Sequence, residues 1–246
     1  MGNGVHLIGG GWDPRVLPDL YGPFLTEAGP DPRIACVVLD EGDGREQFER
    51  WAGALRAVAP CRPAPVLVPE GGLLDPEALG GADGLLVCGG LTPAYAAAVS
   101  PVAAELRSWL ADRPYCGFSA GAAVAAESAL VGGWLSGGRP VAPEDAAEDL
   151  TDVTLAAGLG LVQLHVEVHC TQWGTLPRLL AACEESGGGG LALDENTRVT
   201  VRDGTLAVAG QGYAYLVHRA GELLPVRRFT DGDRFPVDRP GHPAAS

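Results

Sequence analysis

The sequence has little positive charge. It carries 17 Lys and Arg against 31 Asp and Glu in 246 residues, which gives a formal net charge of -14. Such a surface repels phosphate backbones and anionic lipid, so we expect neither nucleic acid nor a membrane as a partner. The acidity favours solubility and by itself does not identify a substrate.

Long apolar runs and a leader pattern are also missing. No segment is apolar over the length that a membrane-spanning helix requires. Residues 1–12 lead almost at once into an apolar strand, without the basic region, long apolar core or cleavage pattern of a secretory leader. We therefore expect a cytoplasmic protein.

Cysteine is present but not in pairs. No two of the six form a C-x-x-C motif, and three fall inside apolar, strand-like runs. We interpret them as small buried side chains and not as disulfides or metal ligands. No group of His, Cys, Asp and Glu has metal-ligand spacing either, so we predict no metal and no cofactor. The six are Cys36, Cys61, Cys88, Cys116, Cys170 and Cys183.

A nucleotide-binding loop is excluded by spacing. The glycine run Gly9-Gly10-Gly11, in "IGGGW", lacks the G-x-G-x-x-G pattern of dinucleotide loops. Asp13-Pro14 also interrupts the helix start that such a loop needs. We expect this turn to line the ligand crevice instead.

The distribution of apolar residues predicts an α/β fold. Short apolar runs alternate with stretches of helical composition. Runs that are apolar throughout are typical of parallel strands buried on both faces, so we expect a three-layer sandwich around a mostly parallel sheet. The predicted strands cover 5–9, 34–40, 65–70, 84–90 and 115–119, and the predicted helices cover 45–59, 93–112, 120–129 and 175–186.

A single domain is predicted for residues 1–230, because no linker divides them. The polar, Pro-rich residues 231–246 are expected to fray as a tail. Residues 132–154 are rich in Gly, Pro and acidic side chains without a clear period, which indicates a loop or lid. Residues 205–219 have the pattern of antiparallel strands at the end of the domain.

In a mostly parallel sheet of the kind predicted for this chain, ligands bind outside the carboxyl ends of the strands.

The first chemical signal is "GFSAG" at 117–121. It satisfies G-x-S-x-G, in which a serine sits on a sharp strand-to-helix turn with its hydroxyl exposed and the next backbone N–H free to meet an oxyanion. Ser119 would then be a nucleophile. With 36 glycines in the chain the motif alone is weak, since Ser119 could equally cap a helix.

A nucleophilic serine needs a base, and the base needs an acid to hold its tautomer. Of the five histidines, His165 and His169 follow the serine in "QLHVEVHCT". If that stretch is extended, the two rings share one face. The others lie in the first strand, after a late strand and in the tail, at His6, His218 and His242.

Three motifs in order make the assignment specific. The segments "GFSAGAAVAAE", "EVHCTQWGTLPRLL" and "GLALDENTRVTV" together resemble the cyanophycinase and peptidase E family of serine peptidases. The resemblance covers about 90–200. It implies a class I glutamine amidotransferase-like (flavodoxin-like) fold, a triad of Ser119, His169 and Glu195, and a small peptide or amide as substrate.

The same resemblance assigns further site residues. The oxyanion hole would combine the N–H groups of Gly90 and Ala120. In the turn "CGGLTPAY", Leu91 and Thr92 stand where the family usually has a polar residue that helps hold the substrate. We expect both to contact substrate, and only Thr92 can donate a hydrogen bond.

The arginine-rich stretch that cyanophycinases carry after the histidine is mostly lost. The family pattern is H-F-x-x-R-G-R-x-x-R-L, whereas this chain has H-C-T-Q-W-G-T-L-P-R-L and keeps only Arg178. We therefore expect a less acidic, partly apolar amide as substrate. Trp173 would form a wall of its pocket, and Arg178 would anchor its carboxylate.

Two other interpretations stay open. An α/β-hydrolase has the order Ser, Asp, His along the chain. Its acid would be Asp145, Asp149 or Asp152, and its base His169 or His218. A small-molecule binding protein could also keep the fold without the chemistry. The sequence leaves a homodimer open as well.

Overall fold

A computed structural model describes residues 3–236 of the chain. The strands of this part are, in chain order, β1 (Val5–Ile8), β2 (Arg33–Asp40), β3 (Arg62–Pro69), β4 (Gly84–Val87), β5 (Tyr115–Phe118), β6 (Ser128–Gly132), β7 (Leu135–Ser136), β8 (Arg139–Pro140), β9 (Thr154–Ala157), β10 (His165–Glu167), β11 (Gly190–Leu193), β12 (Thr197–Arg202), β13 (Thr205–Gly210), β14 (Ala214–Val217), β15 (Val226–Phe229) and β16 (Arg234–Pro236). The helices are α1 (Leu17–Ala28), α2 (Gly44–Val58), α3 (Thr92–Val99), α4 (Ala103–Trp109), α5 (Ala120–Ala123), α6 (Cys170–Trp173) and α7 (Leu176–Ser186). None of these helices is long and apolar enough to cross a membrane.

The large central sheet has the strand order β16-β13-β12-β1-β5-β4-β2-β3. Its five strands from β1 to β3 in that order are parallel, and they are the five that the sequence predicts. The other three are each antiparallel to their neighbours. Ile8 pairs with Phe118 and Val87 with Gly117, so the turns after β1, β4 and β5 leave the sheet side by side.

Alternation along the parallel strands builds an apolar core on each face of this sheet. In β2, Cys36 and Val38 face the layer of α1 and α2, whereas Val37 and Leu39 face the layer that contains α3 and α4. This arrangement is the three-layer sandwich that the sequence predicts. All six cysteines are free thiols, and five are buried as expected, while Cys61 is partly exposed.

A second sheet, with the order β10-β11-β14-β15, brings two distant segments together. β10 and β11 are parallel neighbours, with Glu167 opposite Ala192. Parallel neighbours end at the same edge of a sheet, and His169 and Glu195 each lie two residues beyond such an end. Strand pairing therefore brings these two residues close, although 26 positions separate them in the chain.

Two predicted helices are shorter than expected. The helix predicted at 120–129 ends at Ala123, because the following carbonyls bond elsewhere: Val124 accepts the N–H of Leu159 at 2.8 Å, and Ala125 that of Leu161 at 2.9 Å. The chain then turns into β6. The helix predicted at 93–112 is divided into α3 and α4 by a 3-10 turn at Ser100–Val102, where Pro101 has no N–H to continue the helix.

The boundary predicted at residue 230 is placed too early. Residues 234–236 form β16, which pairs with β13 at the edge of the large sheet. Phe235 is buried, and its ring stacks on that of Phe229 with centroids 3.6 Å apart. The ordered domain therefore extends at least to Pro236, and the rest of the predicted tail lies outside the described residues.

Two other segments refine the predicted organisation. Residues 205–219 are antiparallel as expected, but β13 pairs with β12 in the large sheet and β14 pairs with β11 in the second. The segment 132–154 is mainly irregular, as predicted for a loop. It connects the antiparallel pair β6 and β9, and it contains the short hairpin of β7 and β8.

Candidate active site

Ser119 lies in the sharp turn between β5 and α5. Its backbone has φ 52° and ψ −115°, a strained conformation that non-glycine residues rarely adopt. The flanking glycines are required by space: a Cβ on Gly117 would collide with the carbonyl of Gly121, and one on Gly121 with the carbonyl of Val87. The structure therefore has the turn that the G-x-S-x-G motif predicts.

A continuous set of hydrogen bonds links Ser119, His169 and Glu195. The Ser119 hydroxyl lies 2.8 Å from His169 Nε2, and His169 Nδ1 lies 2.8 Å from Glu195 Oε1. With a carboxylate as acceptor, Nδ1 carries the proton, so Nε2 presents its lone pair to the hydroxyl. Ser119 and His169 are buried, and the Glu195 side chain is partly exposed. The structure thus brings the three predicted residues together.

Three consecutive carbonyls of the first glycine turn hold the segments that carry these side chains. Each accepts a backbone N–H from a different segment, so one short turn fixes the spacing of all three. The residue after this turn, Trp12, lines a pocket beside Ser119; that the turn itself lines the crevice stays a prediction. The bonds run from the N–H of Ser119 to Ile8, from that of His169 to Gly9 and from that of Asn196 to Gly10, at 2.9, 2.9 and 2.7 Å.

The His169 ring is fixed by its backbone and by two neighbours. β10 ends at Glu167 and His169 is left-handed, with φ 51°, so the expectation that it shares a strand face with His165 is wrong. Gly10 leaves room for the ring, because a Cβ there would collide with the ring atom Cε1. The Trp173 ring stacks on the imidazole, with ring centroids 3.9 Å apart and planes 11° from parallel.

Glu195 is held in the turn after β11. Its N–H donates to Gln172 Oε1 at 2.9 Å. The neighbouring Asp194 is buried and accepts the N–H groups of Thr171 at 2.9 Å and Tyr213 at 3.0 Å. Asp194 therefore ties two loops together, and Glu195 is the acid that reaches the imidazole.

Two backbone N–H groups beside Ser119 have no acceptor among the described residues. Ala120 begins α5, so its N–H has no partner within the helix. Gly90 lies in the turn after β4 and lines the same cleft as Ser119. The N–H of Gly121 donates to the carbonyl of Cys88 at 3.1 Å and thereby joins the two turns. That Gly90 and Ala120 form an oxyanion hole stays a prediction.

Burial sets the protonation state of the imidazole. Removal of the ring from water lowers the pKa of His169 below its ordinary 6.5, while the hydrogen bond and charge of Glu195 act in the opposite direction. Because burial dominates, the ring is mainly neutral at pH 7. A neutral imidazole beside a hydroxyl can accept its proton.

Ser119 opens into a cleft of about 810 Å³ with an acidic lining. Leu91 and Trp173, both expected to contact substrate, lie in its wall. No Lys or Arg is among the described residues that line it, and nowhere in residues 3–236 do three or more His, Cys, Asp or Glu side chains form a group that could hold a metal ion. The lining carboxylates are those of Glu41, Glu144, Asp145, Glu148 and Asp149.

Thr92 holds the wall of the cleft and does not line it. The residue is buried, and its N–H donates to Glu148 Oε2 at 2.9 Å. Burial raises the pKa of Glu148, and hydrogen bonding from Thr92 opposes that rise. The expectation that Thr92 contacts the substrate is corrected, because the residue is buried and is not among the described residues that line the cleft.

Arg178 is also used within the protein. It is buried on α7, and its Nε and Nη2 donate to the two carboxylate oxygens of Glu167 at 2.8 and 2.9 Å. Nη1 donates to the carbonyls of Gly133 and Ala146. The expectation that Arg178 anchors a substrate carboxylate is wrong, because this guanidinium instead ties the 132–154 loop to β10.

The other histidines lie away from Ser119. His165 is bonded to a backbone carbonyl at 2.8 Å and to the hydroxyl of Ser186 at 2.7 Å. His6 is buried in β1, and His218 is exposed after β14. His242 lies outside the described residues. None of the described three replaces His169 beside the serine.

The acids of the α/β-hydrolase alternative do not reach His169. Asp145 and Asp149 line the cleft, but neither they nor Asp152 hydrogen-bond to a histidine within the described chain. The Nδ1 position that such an acid would need is occupied by Glu195. The geometry therefore favours Glu195 as the partner of the imidazole.

Sequence reasoning missed two residues that shape the site. Gln172, which holds the backbone of Glu195, has no distinguishing signal because it lies on a four-residue helix. Glu167 has one: it is an acid in the otherwise apolar run around β10, and a buried carboxylate needs a partner. A buried acid at this position also indicates that a nearby arginine pairs with it, as Arg178 does here, and does not bind substrate.

Comparison with known proteins gives likeness in structure only. No family model and no curated protein matches the chain. A peptidase from an acI-B1 Actinobacterium is 16% identical, with a TM-score of 0.67 over 96% of this chain and 97% of its own. A provisionally assigned peptidase E protein from Listeria monocytogenes EGD-e is 14% identical, with a TM-score of 0.57 over 86% of this chain and 100% of its own.

These likenesses establish the class of fold to which the chain belongs. It is a mixed α/β fold with a large, mostly parallel central sheet, shared with structures described as peptidases. The fold resemblance to peptidase E that the three motifs predict is confirmed.

Replacement of Gly10 tests how the first glycine turn positions the imidazole. In Gly10→Ala the new Cβ would overlap the His169 ring and displace it from Ser119. Misplacement by about 1 Å reduces reactivity about 100-fold, so we expect a loss of that size in the rate at which Ser119 reacts with a fluorophosphonate.

Gly29→Ala is the matched control. Gly29 has φ 113° against 115° for Gly10, but no atom lies within 4 Å of its Cβ position. Gly29→Ala therefore places an alanine at nearly the same positive φ without touching the site, and this variant should react like the wild type. Equal rates for the two variants, with similar urea midpoints, would contradict this account of Gly10.

Proposed function

We propose that the protein is a serine hydrolase that cleaves an amide bond in a small peptide or peptide-like compound. The observation that carries the proposal is the hydrogen-bonded set of Ser119, His169 and Glu195, with 2.8 Å at each step. The alternative use of Ser119 as a helix cap has no support, because its side chain makes no capping hydrogen bond.

In the first half of the reaction, Ser119 Oγ attacks the carbonyl carbon of the scissile amide. Its proton moves to His169 Nε2, and Glu195 stabilises the imidazolium through Nδ1–H. The carbonyl oxygen becomes an oxyanion between the N–H groups of Gly90 and Ala120. Each such donor contributes about 3 kcal/mol to stabilisation of the transition state. His169 then protonates the leaving nitrogen, the C–N bond breaks, and an acyl-enzyme remains.

In the second half, water replaces the leaving amine. His169 takes a proton from the water, whose oxygen attacks the acyl carbon, and the same N–H groups hold the second oxyanion. The ester bond to Ser119 Oγ then breaks, and His169 returns the proton to that oxygen. The carboxylic acid product leaves and the free serine is restored.

The fold neighbours support the reaction class. The Actinobacterium protein is described as a peptidase, and the Listeria protein is provisionally assigned to peptidase E. Fold alone does not define an activity, so the argument for hydrolysis rests on the geometry around Ser119. The strained backbone of Ser119 adds to it, because such strain concentrates at functional sites.

Removal of the hydroxyl tests the proposed nucleophile. Wild-type protein should react covalently with a fluorophosphonate at Ser119, and Ser119→Ala should abolish that labelling and any turnover in a screen of dipeptides and aminoacyl amides, a loss of about 10⁶-fold in turnover. Labelling is measured by intact mass and peptide mapping.

Ser108→Ala is the control, since Ser108 is an exposed residue on α4. It should leave the reaction unchanged. If correctly folded wild-type protein does not label at all, the proposal fails and a binding protein without chemistry becomes the better interpretation. Full labelling of Ser119→Ala would contradict the assignment of the nucleophile.

The pH dependence of labelling tests the base. Only neutral His169 can accept the serine proton, so the rate should be constant near pH 7 and fall as the pH drops through the pKa of the ring. Because burial lowers that pKa, the midpoint should lie below 6.5. The measurement is the second-order labelling rate from about pH 4.5 to 8, which brackets an ordinary histidine. A midpoint above 6.5 would contradict the dominance of burial.

A further inference from the structure

A second pocket adjoins the proposed nucleophile. It has a volume of about 250 Å³ and shares Ser119 and Gly90 with the acidic cleft. Three of its nine lining residues are aromatic, and its charged and polar side chains other than Ser119 come from Asp43 and the first two turns of α2. The remaining lining residues are Trp12, Asp43, Gln47, Arg50, Trp51, Gly89 and Phe118.

Arg50 is the cation of this pocket. Its guanidinium carbon lies 4.8 Å from the centre of the Trp12 ring, a cation–π arrangement that restricts the side chain. Trp12 in turn packs on Phe118, the residue before Ser119, with ring centroids 4.9 Å apart. Arg50 makes no hydrogen bond or ion pair with a described residue. Its donors are therefore available to a ligand near the serine.

An unused donor lies in the same wall. Trp51 lines the pocket, is 3% exposed, and its indole N–H has no hydrogen-bond partner among the described residues. Buried polar groups without a partner are rare in folded proteins. The indole nitrogen is itself buried, so the exposed donor in this wall is the Arg50 guanidinium.

The two pockets differ in charge. The larger cleft carries five carboxylates and no cation, so its potential repels an anionic group. In the smaller pocket Arg50 faces a single acid, Asp43, one oxygen of which accepts Gln47 Nε2 at 2.8 Å. Arg178 is occupied by Glu167. Of the described residues that line either pocket, Arg50 is the one with positive charge.

We propose that the smaller pocket binds a carboxylate of the substrate through Arg50, and that the acidic cleft takes the other, non-anionic half. This inference rests on the proposed function, because it defines the substrate class of that site. A guanidinium presents a fork of N–H donors that matches a carboxylate, and the aromatic walls fit the apolar carbons that carry it. Arg50 is thus a binding residue that takes the role expected of Arg178.

The test uses a matched pair of fluorophosphonates that differ only in a carboxylate or a carboxamide at the end of a short alkyl arm. With the wild type, the carboxylate reagent should react about tenfold faster with Ser119 than the carboxamide reagent, since a hydrogen bond to a charged group contributes at least that much. In Arg50→Gln this preference should disappear.

Arg45→Gln is the matched control, because Arg45 is an exposed arginine of the same helix that lines neither pocket. It should keep the tenfold preference, and Arg50→Lys should keep part of it. A third reagent carries the carboxylate as the α-carboxylate of an amino acid. If the Arg50→Gln substitution slows this reagent more than the alkyl carboxylate reagent, the bound group is a chain-terminal carboxylate. If it slows the alkyl carboxylate reagent more, the bound group is a side-chain carboxylate.

The outcomes distinguish the two proposals. Absence of labelling by every reagent would contradict the proposed function. Labelling without a preference for the carboxylate, or with a preference that Arg50→Gln and Arg45→Gln lose equally, would leave the serine chemistry intact and overturn the role of Arg50. Because Arg50 is exposed on α2, its substitution should leave the urea midpoint unchanged.

Discussion

The candidate site depends on one short row of backbone carbonyls. The oxygens at 8, 9 and 10 accept the N–H groups of three segments that are far apart in sequence, and these segments carry the hydroxyl, the imidazole and the carboxylate. Space at positions 9 and 10 admits only glycine, since a Cβ on Gly9 would collide with the carbonyl of Asp194 and one on Gly10 with the His169 ring. A turn that superficially resembles a nucleotide loop therefore serves as the common support of the site.

Charge around the site is divided between structure and recognition. The buried Arg178 donates all its described hydrogen bonds to Glu167 and to two carbonyls of the 132–154 loop, so its role is to hold the wall of the cleft. That wall contributes most of the carboxylates beside Ser119. Loss of one partner from such a buried pair costs about 3–5 kcal/mol, because a charge is then left unpaired. Recognition of an anionic group passes to the exposed Arg50, where desolvation is small.

Much of the site could be predicted because its residues follow strands directly. Ser119 directly follows a parallel strand of the large sheet, and His169 and Glu195 lie two residues beyond a parallel pair in the second sheet. Sequence patterns predict the positions of strands well when the strands are apolar throughout. They do not fix where a long side chain points, which is why the roles of Thr92 and Arg178 had to be corrected. The early end of the 120–129 helix and the pairing of β16 depend on hydrogen bonds from distant segments, which the local sequence does not encode.

The most direct test of the account is a crystal structure of the protein after reaction with a fluorophosphonate. The account predicts phosphorus bonded to Ser119 Oγ, His169 Nε2 still beside that oxygen, and the phosphoryl oxygen about 2.7–3.1 Å from the nitrogens of Gly90 and Ala120. Phosphorus on another residue, or a phosphoryl oxygen directed away from both nitrogens, would contradict it.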